Sequence, residues 1–139
     1  MRPQIQSLRA DELEKARILI VEDQPGAMKL VQSLLRDMGI TQIFSAGDGQ
    51  VALAFLDECE GFIDAVISDL HMPKVNGLDL LRQERTVYPR MPFLMITGRD
   101  TADAVKAARD SGVTAFLAKP FSPAQLETKI EAMLRRASV

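Results

Sequence analysis

Four short apolar runs cross the chain without a polar break: Ile18-Leu19-Ile20-Val21, Ala65-Val66-Ile67, Phe93-Leu94-Met95-Ile96 and Ala115-Phe116-Leu117-Ala118. A strand with one wet face alternates polar and apolar residues. Unalternating runs of this length suit strands covered on both faces, as in a parallel sheet. A fifth, weaker run, Gln42-Ile43-Phe44-Ser45, reads as an edge strand.

Between the runs the apolar spacing lengthens to that of a helix. From Pro25 to Met38, residues Ala27, Val31, Leu34, Leu35 and Met38 share a face, with Pro25 suited to the first turn and Gly39 to the stop. Asp48 to Cys59 repeats the pattern with Ala52, Phe55, Leu56 and Cys59, and Gly61 follows. A third helix is predicted from Gly77 to Val87, before Pro89. A fourth, Thr101 to Ser111, has Asp100 as its N-cap, Ala104, Val105 and Ala108 inward and Gly112 behind it. The last, Pro123 to about Ala137, opens on the capping-box pattern Ser122-Pro123-Ala124-Gln125 and buries Leu126, Ile130, Met133 and Leu134.

Five strand and helix pairs in alternation predict an α/β fold, with right-handed crossovers placing helices on both faces of a parallel sheet. Periodicity alone does not order the strands. The 139 residues, 47% apolar, suffice for one core and one domain. Residues 1 to 16 fall outside the alternation as an N-terminal extension, in which Ala10 to Ala16 can form a short helix; residues 17 to 139 form the domain.

Composition narrows the function classes. With 17 Lys plus Arg against 19 Asp plus Glu and no basic run, strong nonspecific nucleic-acid binding is not expected. A lone Cys59 excludes an internal disulfide framework and a cysteine zinc site. No apolar stretch approaches the roughly 18 residues of a membrane span, and Met1 to Lys15 lacks a signal-peptide core, so the expected location is the cytoplasm. Cys59, Met28, Met38, Met95 and Met133 read as core filler, and Arg135-Arg136 as a match to a helix dipole.

In an open parallel sheet, sites form beyond the carboxyl ends of the strands. There the first run is followed by Glu22-Asp23, the third by Asp69, the fourth by Thr97 and the fifth by Lys119. Singly, an Asp after a strand is more often a turn or cap residue than a catalyst. Jointly, three carboxylates in one cleft carry an electrostatic cost that a divalent cation relieves. Hard oxygen ligands suit Mg²⁺, above all where a phosphoryl group supplies another oxygen. The chemistry expected is Mg²⁺ held by Glu22, Asp23 and Asp69, with Asp69 attacking phosphorus to form an aspartyl phosphate. Lys119 and Thr97 would meet the new phosphoryl oxygens as a point charge and a hydrogen-bond donor.

These strings, Ile18-Leu19-Ile20-Val21-Glu22-Asp23, Ile67-Ser68-Asp69-Leu70-His71-Met72-Pro73 with Asn76-Gly77, Ile96-Thr97-Gly98 and Lys119-Pro120-Phe121, resemble receiver domains of two-component response regulators over residues 16 to 137. The resemblance implies a flavodoxin-like (βα)5 sheet in the order 2-1-3-4-5, the order for which a member of this family is the standard example. It implies phosphorylation of Asp69 by a sensor histidine kinase or histidine phosphotransfer protein with Mg²⁺, whose ligands would be Glu22, Asp23, Asp69 and the backbone carbonyl of His71. By similarity, Thr97 and Phe116 form a switch pair and Lys119-Pro120 a cis peptide. Phosphorylation would then alter the face built from the fourth helix of the alternation, the fifth strand and the fifth helix. His71 and Arg99 occupy positions that affect how quickly the acyl phosphate hydrolyses. Glu22 stands where Asp is common in the family, and Phe116 lacks the hydroxyl of the tyrosine often found there.

The leading expectation is a stand-alone receiver acting on an unidentified downstream protein, with no output domain in these residues and a homodimer among the open oligomeric states. A second reading, of another class, is a pseudo-receiver that binds protein constitutively; the complete set Glu22, Asp23, Asp69, Thr97 and Lys119 stands against it. A third is a phosphatase or phosphotransferase that uses an aspartyl nucleophile on small substrates. Phosphatases of similar topology carry a second acid two residues after the nucleophile, where this chain has His71. A flavin-binding relative would need a phosphate cradle after the first strand, where Glu22-Asp23 repels phosphate.

Overall fold

A computed structural model of the chain describes residues 8–98 and 102–137. The elements run α1 (Ala10–Lys15), β1 (Arg17–Val21), α2 (Pro25–Met38), β2 (Gln42–Ala46), α3 (Gly49–Cys59), β3 (Ala65–Asp69), α4 (Gly77–Val87), β4 (Phe93–Thr97), α5 (Ala102–Asp110), β5 (Ala115–Ala118) and α6 (Pro123–Ala137). The strands form one parallel sheet ordered β2-β1-β3-β4-β5. The unbroken apolar runs occupy β1, β3 and β4 in the middle and β5 at one edge, and the weaker run is β2 at the other edge.

Side-chain alternation along each strand sorts the runs into two cores, because successive Cβ atoms point to opposite faces. Ile18, Ile20, Ile67, Leu94 and Ile96 face Val31 and Leu35 of α2 and Leu126, Ile130 and Met133 of α6. Leu19, Val21, Val66, Phe93 and Met95 face Ala52 and Leu56 of α3 and Leu80 and Leu81 of α4, with Ala104 of α5 packed at the margin. Leu8 and Leu13, before and within α1, pack against the first of these cores.

Local chemistry sets the helix ends. Pro25 opens α2 and Gly39 closes it at φ 103°, a left-handed cap where a Cβ is strained. Asp48 accepts the Val51 N–H at 2.8 Å, so the apolar period that begins at Asp48 is a helix from Gly49 with Asp48 as its cap. Asn76 caps α4 by accepting the Asp79 N–H at 2.9 Å. Ser122 and Gln125 form the reciprocal pair read from the sequence, with bonds of 2.8 and 3.1 Å. Asp100, expected to cap α5, and Thr101 lie outside the described residues. Cys59 departs from the expected core placement: it occupies the last position of α3, is half-buried and belongs to neither apolar cluster.

Candidate functional site

β1, β3, β4 and β5 end together at the carboxyl edge of the sheet, and their last or following residues are Glu22, Asp69, Thr97 and Lys119. Parallel register makes this convergence unavoidable: Val21 lies opposite Ser68, Asp69 opposite Ile96, and Thr97 opposite Ala118. Glu22, Asp23 and Asp69 each offer a carboxylate oxygen within 4.8 Å of the others. Lys119 Nζ stands 3.4 Å from Glu22 Oε1 and 3.8 Å from Asp69 Oδ1.

The backbone holds these groups in place. Leu70 N–H donates to Asp69 Oδ1 at 3.0 Å, and Gln24 N–H donates to Glu22 Oε2 at 3.1 Å. Lys119 N–H donates to the Thr97 carbonyl at 2.8 Å, which ties β5 to β4 just before the cis Lys119–Pro120 bond. Below the acids, Gly77 lets α4 approach closely, since a Cβ there would overlap the Asp69 carbonyl and meet Met95 Sδ.

Burial is the main influence on the acids. It pushes Asp69 above the usual carboxylate range; Lys119 and the Leu70 N–H pull it down, and Asp23 pushes it up. Burial likewise raises Glu22, which is 6% exposed; the Gln24 N–H opposes this, Asp69 reinforces it and Lys119 opposes it. A cleft that penalises several negative charges and lines them up on oxygen atoms fits a hard divalent cation.

Thr97 is fully buried at the end of β4. Phe116 is half-buried and packs against the core under α3, α4 and α5. His71 is exposed on the loop after β3, and Arg99 lies outside the described residues. Beside the acids an apolar cavity of about 300 Å³, lined in part by Ala27, Leu30, Val31, Ile96 and Phe121, opens onto Glu22, Asp69 and Lys119. Sequence reasoning missed that cavity and the close approach at Gly77, because both arise where elements meet.

Residues 18–131 match the family model for the response regulator receiver domain. The chain belongs to the response regulator receiver family. This receiver is 36% identical over 124 residues to the chemotaxis protein CheY of Pseudomonas aeruginosa, covering 88% of the chain and 98% of the relative. It is 35% identical over 122 residues to chemotaxis protein CheY-3 of Vibrio cholerae, covering 86% and 92%. Among solved structures, a receiver domain protein from Clostridium thermocellum superposes with a TM-score of 0.83 at 28% identity, covering 88% of this chain and 97% of that one. The receiver is a phosphoacceptor module of two-component signalling, with the sheet order that the resemblance implied. Receivers of this kind are signalling domains that work with histidine kinases and downstream targets and bind Mg²⁺. No helix among the described residues is long and apolar enough to cross a membrane.

Proposed function

We propose that Asp69 is the phosphoacceptor, and that it takes its phosphoryl group from the phosphohistidine of a sensor kinase or a histidine phosphotransfer protein. The observation that carries this is the meeting of three carboxylates within 4.8 Å beside the Lys119 ammonium. An Asp69 carboxylate oxygen attacks phosphorus, the phosphorus–nitrogen bond to the donor imidazole breaks, and the imidazole leaves with the electron pair and takes up a proton.

Glu22, Asp23, Asp69 and the His71 backbone carbonyl would hold Mg²⁺, which when bound supplies charge neutralisation for the phosphoryl oxygens. The Leu70 N–H bond fixes the Asp69 carboxylate, so little reorganisation precedes attack. Lys119, already in place between two acids, shifts its ammonium from the carboxylates to the phosphoryl group.

Thr97 is the donor to a phosphoryl oxygen, and Phe116 responds by packing, since it has no hydroxyl to bond. Their movement alters the face of α5, β5 and α6, a population shift driven by local charge, and presents it to a downstream protein. His71 and Arg99 set access to the acyl phosphate. The chemistry is confined to gaining and losing this one group, and the setting is the cytoplasm.

Intact-mass spectrometry with phosphoramidate and Mg²⁺ tests this reading. One added phosphoryl group is expected, lost with chelator and lost in Asp69→Asn. Full labelling of Asp69→Asn would place the acceptor elsewhere, and no labelling of the native chain by phosphoramidate or a cognate kinase would favour a constitutive binding module.

A further inference from the structure

α3 and α4 pack side by side over the second core, and the groove between them contains a carboxyl that the phosphoryl chemistry does not use. Glu84 lies on the buried face of α4 with Gly77, Leu80 and Leu81, and is 3% exposed. Its Oε2 is buried without a hydrogen-bond partner among the described residues. Such an orphaned oxygen loses its water and gains nothing in return, so it needs an explanation.

The cation next in sequence is committed elsewhere. Arg85 donates to the Tyr88 carbonyl at 3.2 Å, the Met91 carbonyl at 2.7 Å and the Gly112 carbonyl at 2.9 Å. The groove itself, about 400 Å³, is walled by Leu53, Ala54 and Asp57 of α3 and by Glu84 and Val87 of α4, with Tyr88 at its end. Its charged lining residues, Asp57 and Glu84, are both acids. Val87 is 64% exposed and carries the apolar wall out to the surface.

We propose that the α3–α4 groove is a docking site for a lysine side chain of a partner protein, its ammonium on Glu84 and its alkyl stem along Leu53, Ala54 and Val87. Docking draws the Glu84 carboxyl from its buried position into the groove, where the ammonium supplies the donor that Oε2 lacks and the two acids supply the complementary charge. The mixed lining matches a side chain with an apolar stem and a charged head. One orphaned oxygen calls for a point donor rather than the two-pronged guanidinium. A protein segment also covers the exposed Val87, which a free amine leaves wet.

Burial lifts the Glu84 carboxyl to about 7, with the Arg85 charge opposing. Lysine therefore binds the ionised form and displaces a proton near neutrality, so affinity falls as the pH drops below that value. Asp57 across the groove, and Tyr88 and Arg85 on the Glu84 side, are the other titratable groups at the site.

The test titrates the full chain, labelled with nitrogen-15, and follows the amides of Leu53, Val87 and Tyr88. The probes are N-acetyl-Leu-Lys-Leu amide, its norleucine counterpart and n-butylammonium. A saturable shift is expected with the lysine peptide, and binding about tenfold weaker or worse for the norleucine peptide, for n-butylammonium and for Glu84→Gln. Glu84→Leu serves as a second variant, and the amide spectrum of each shows that it is folded. No saturable shift, or equal binding by the native chain and a folded variant, overturns the proposal. Binding of n-butylammonium as tight as the peptide also overturns it and reassigns the groove to free amines. None of these outcomes depends on which residue is phosphorylated.

Discussion

Glu84 and Asp69 are both carboxyls raised by burial, yet only Asp69 has a donor N–H and an ammonium beside it. The difference has a consequence for stability. In the unfolded chain Glu84 titrates at its ordinary value of 4.5, and in the folded protein at about 7. Between those values the folded state holds the extra proton, so its stability falls as pH rises through that window and is level above it. At full effect the loss is up to about 3 kcal/mol. Glu84→Gln abolishes this slope, so its stability relative to the native chain should rise between about pH 5 and about pH 8, as measured by urea unfolding. A constant difference would show that the carboxyl is not buried in solution. The sequence carried a signal for this residue: the inward spacing of Gly77, Leu80 and Leu81 continues to position 84, where an acid breaks the apolar pattern. By contrast Glu22, Asp69, Thr97 and Lys119 were legible because each follows an apolar run, and strand ends in a parallel sheet share one edge.

At the scale of elements, most helix ends were readable because caps are local chemistry. Ser122 and Gln125 pair as their spacing predicts, and Pro25 and Gly39 bound α2. Gly77 shows where local reading stops. In sequence it only begins a helix, whereas in the fold it is the point where α4 lies against the end of β3, under Asp69. A methyl group there must displace the Asp69 carbonyl, so Gly77→Ala is expected to lose about 1–3 kcal/mol of stability, the range for overpacking. The same shift moves the carboxylate relative to Lys119. Phosphorylation by phosphoramidate should therefore slow by more than the fraction unfolded accounts for. Unfolding curves and mass-spectrometric labelling rates, taken together, check both parts; a stable variant labelled at the native rate would show that the contact yields without cost. Cys59 illustrates a similar limit, since its period pointed inward but it closes α3 half-buried and outside both apolar clusters.

For the whole molecule, the alternation of five runs and five helices led to the class of fold, while strand order depended on the resemblance, because order is decided by crossovers between distant segments. That order places β1 and β3 side by side at the centre, bringing Glu22 and Asp69 together and leaving Lys119 to reach them from β5 across β4. The fold thus spends stability on concentrating negative charge, and Lys119 is the described cation within 4 Å of both Glu22 and Asp69. Removing it by Lys119→Ala leaves that charge uncompensated in the folded state alone, whereas the unfolded chain disperses it. Mg²⁺ that binds only the folded chain adds stability of about 2.7 kcal/mol at a hundredfold excess over its Kd. Bound among the same acids, it takes over the compensation. Lys119→Ala should therefore destabilise the protein more in chelator than in saturating Mg²⁺, while Asp23→Ala, which deletes one of the proposed ligands, should shrink the gain from Mg²⁺ itself. Thermal unfolding of the native chain and both variants, with and without metal, tests the pair. An equal loss for Lys119→Ala in both conditions would mean that the ammonium and the cation do not share a site, and an undiminished Mg²⁺ gain in Asp23→Ala would remove Asp23 from the ligand set.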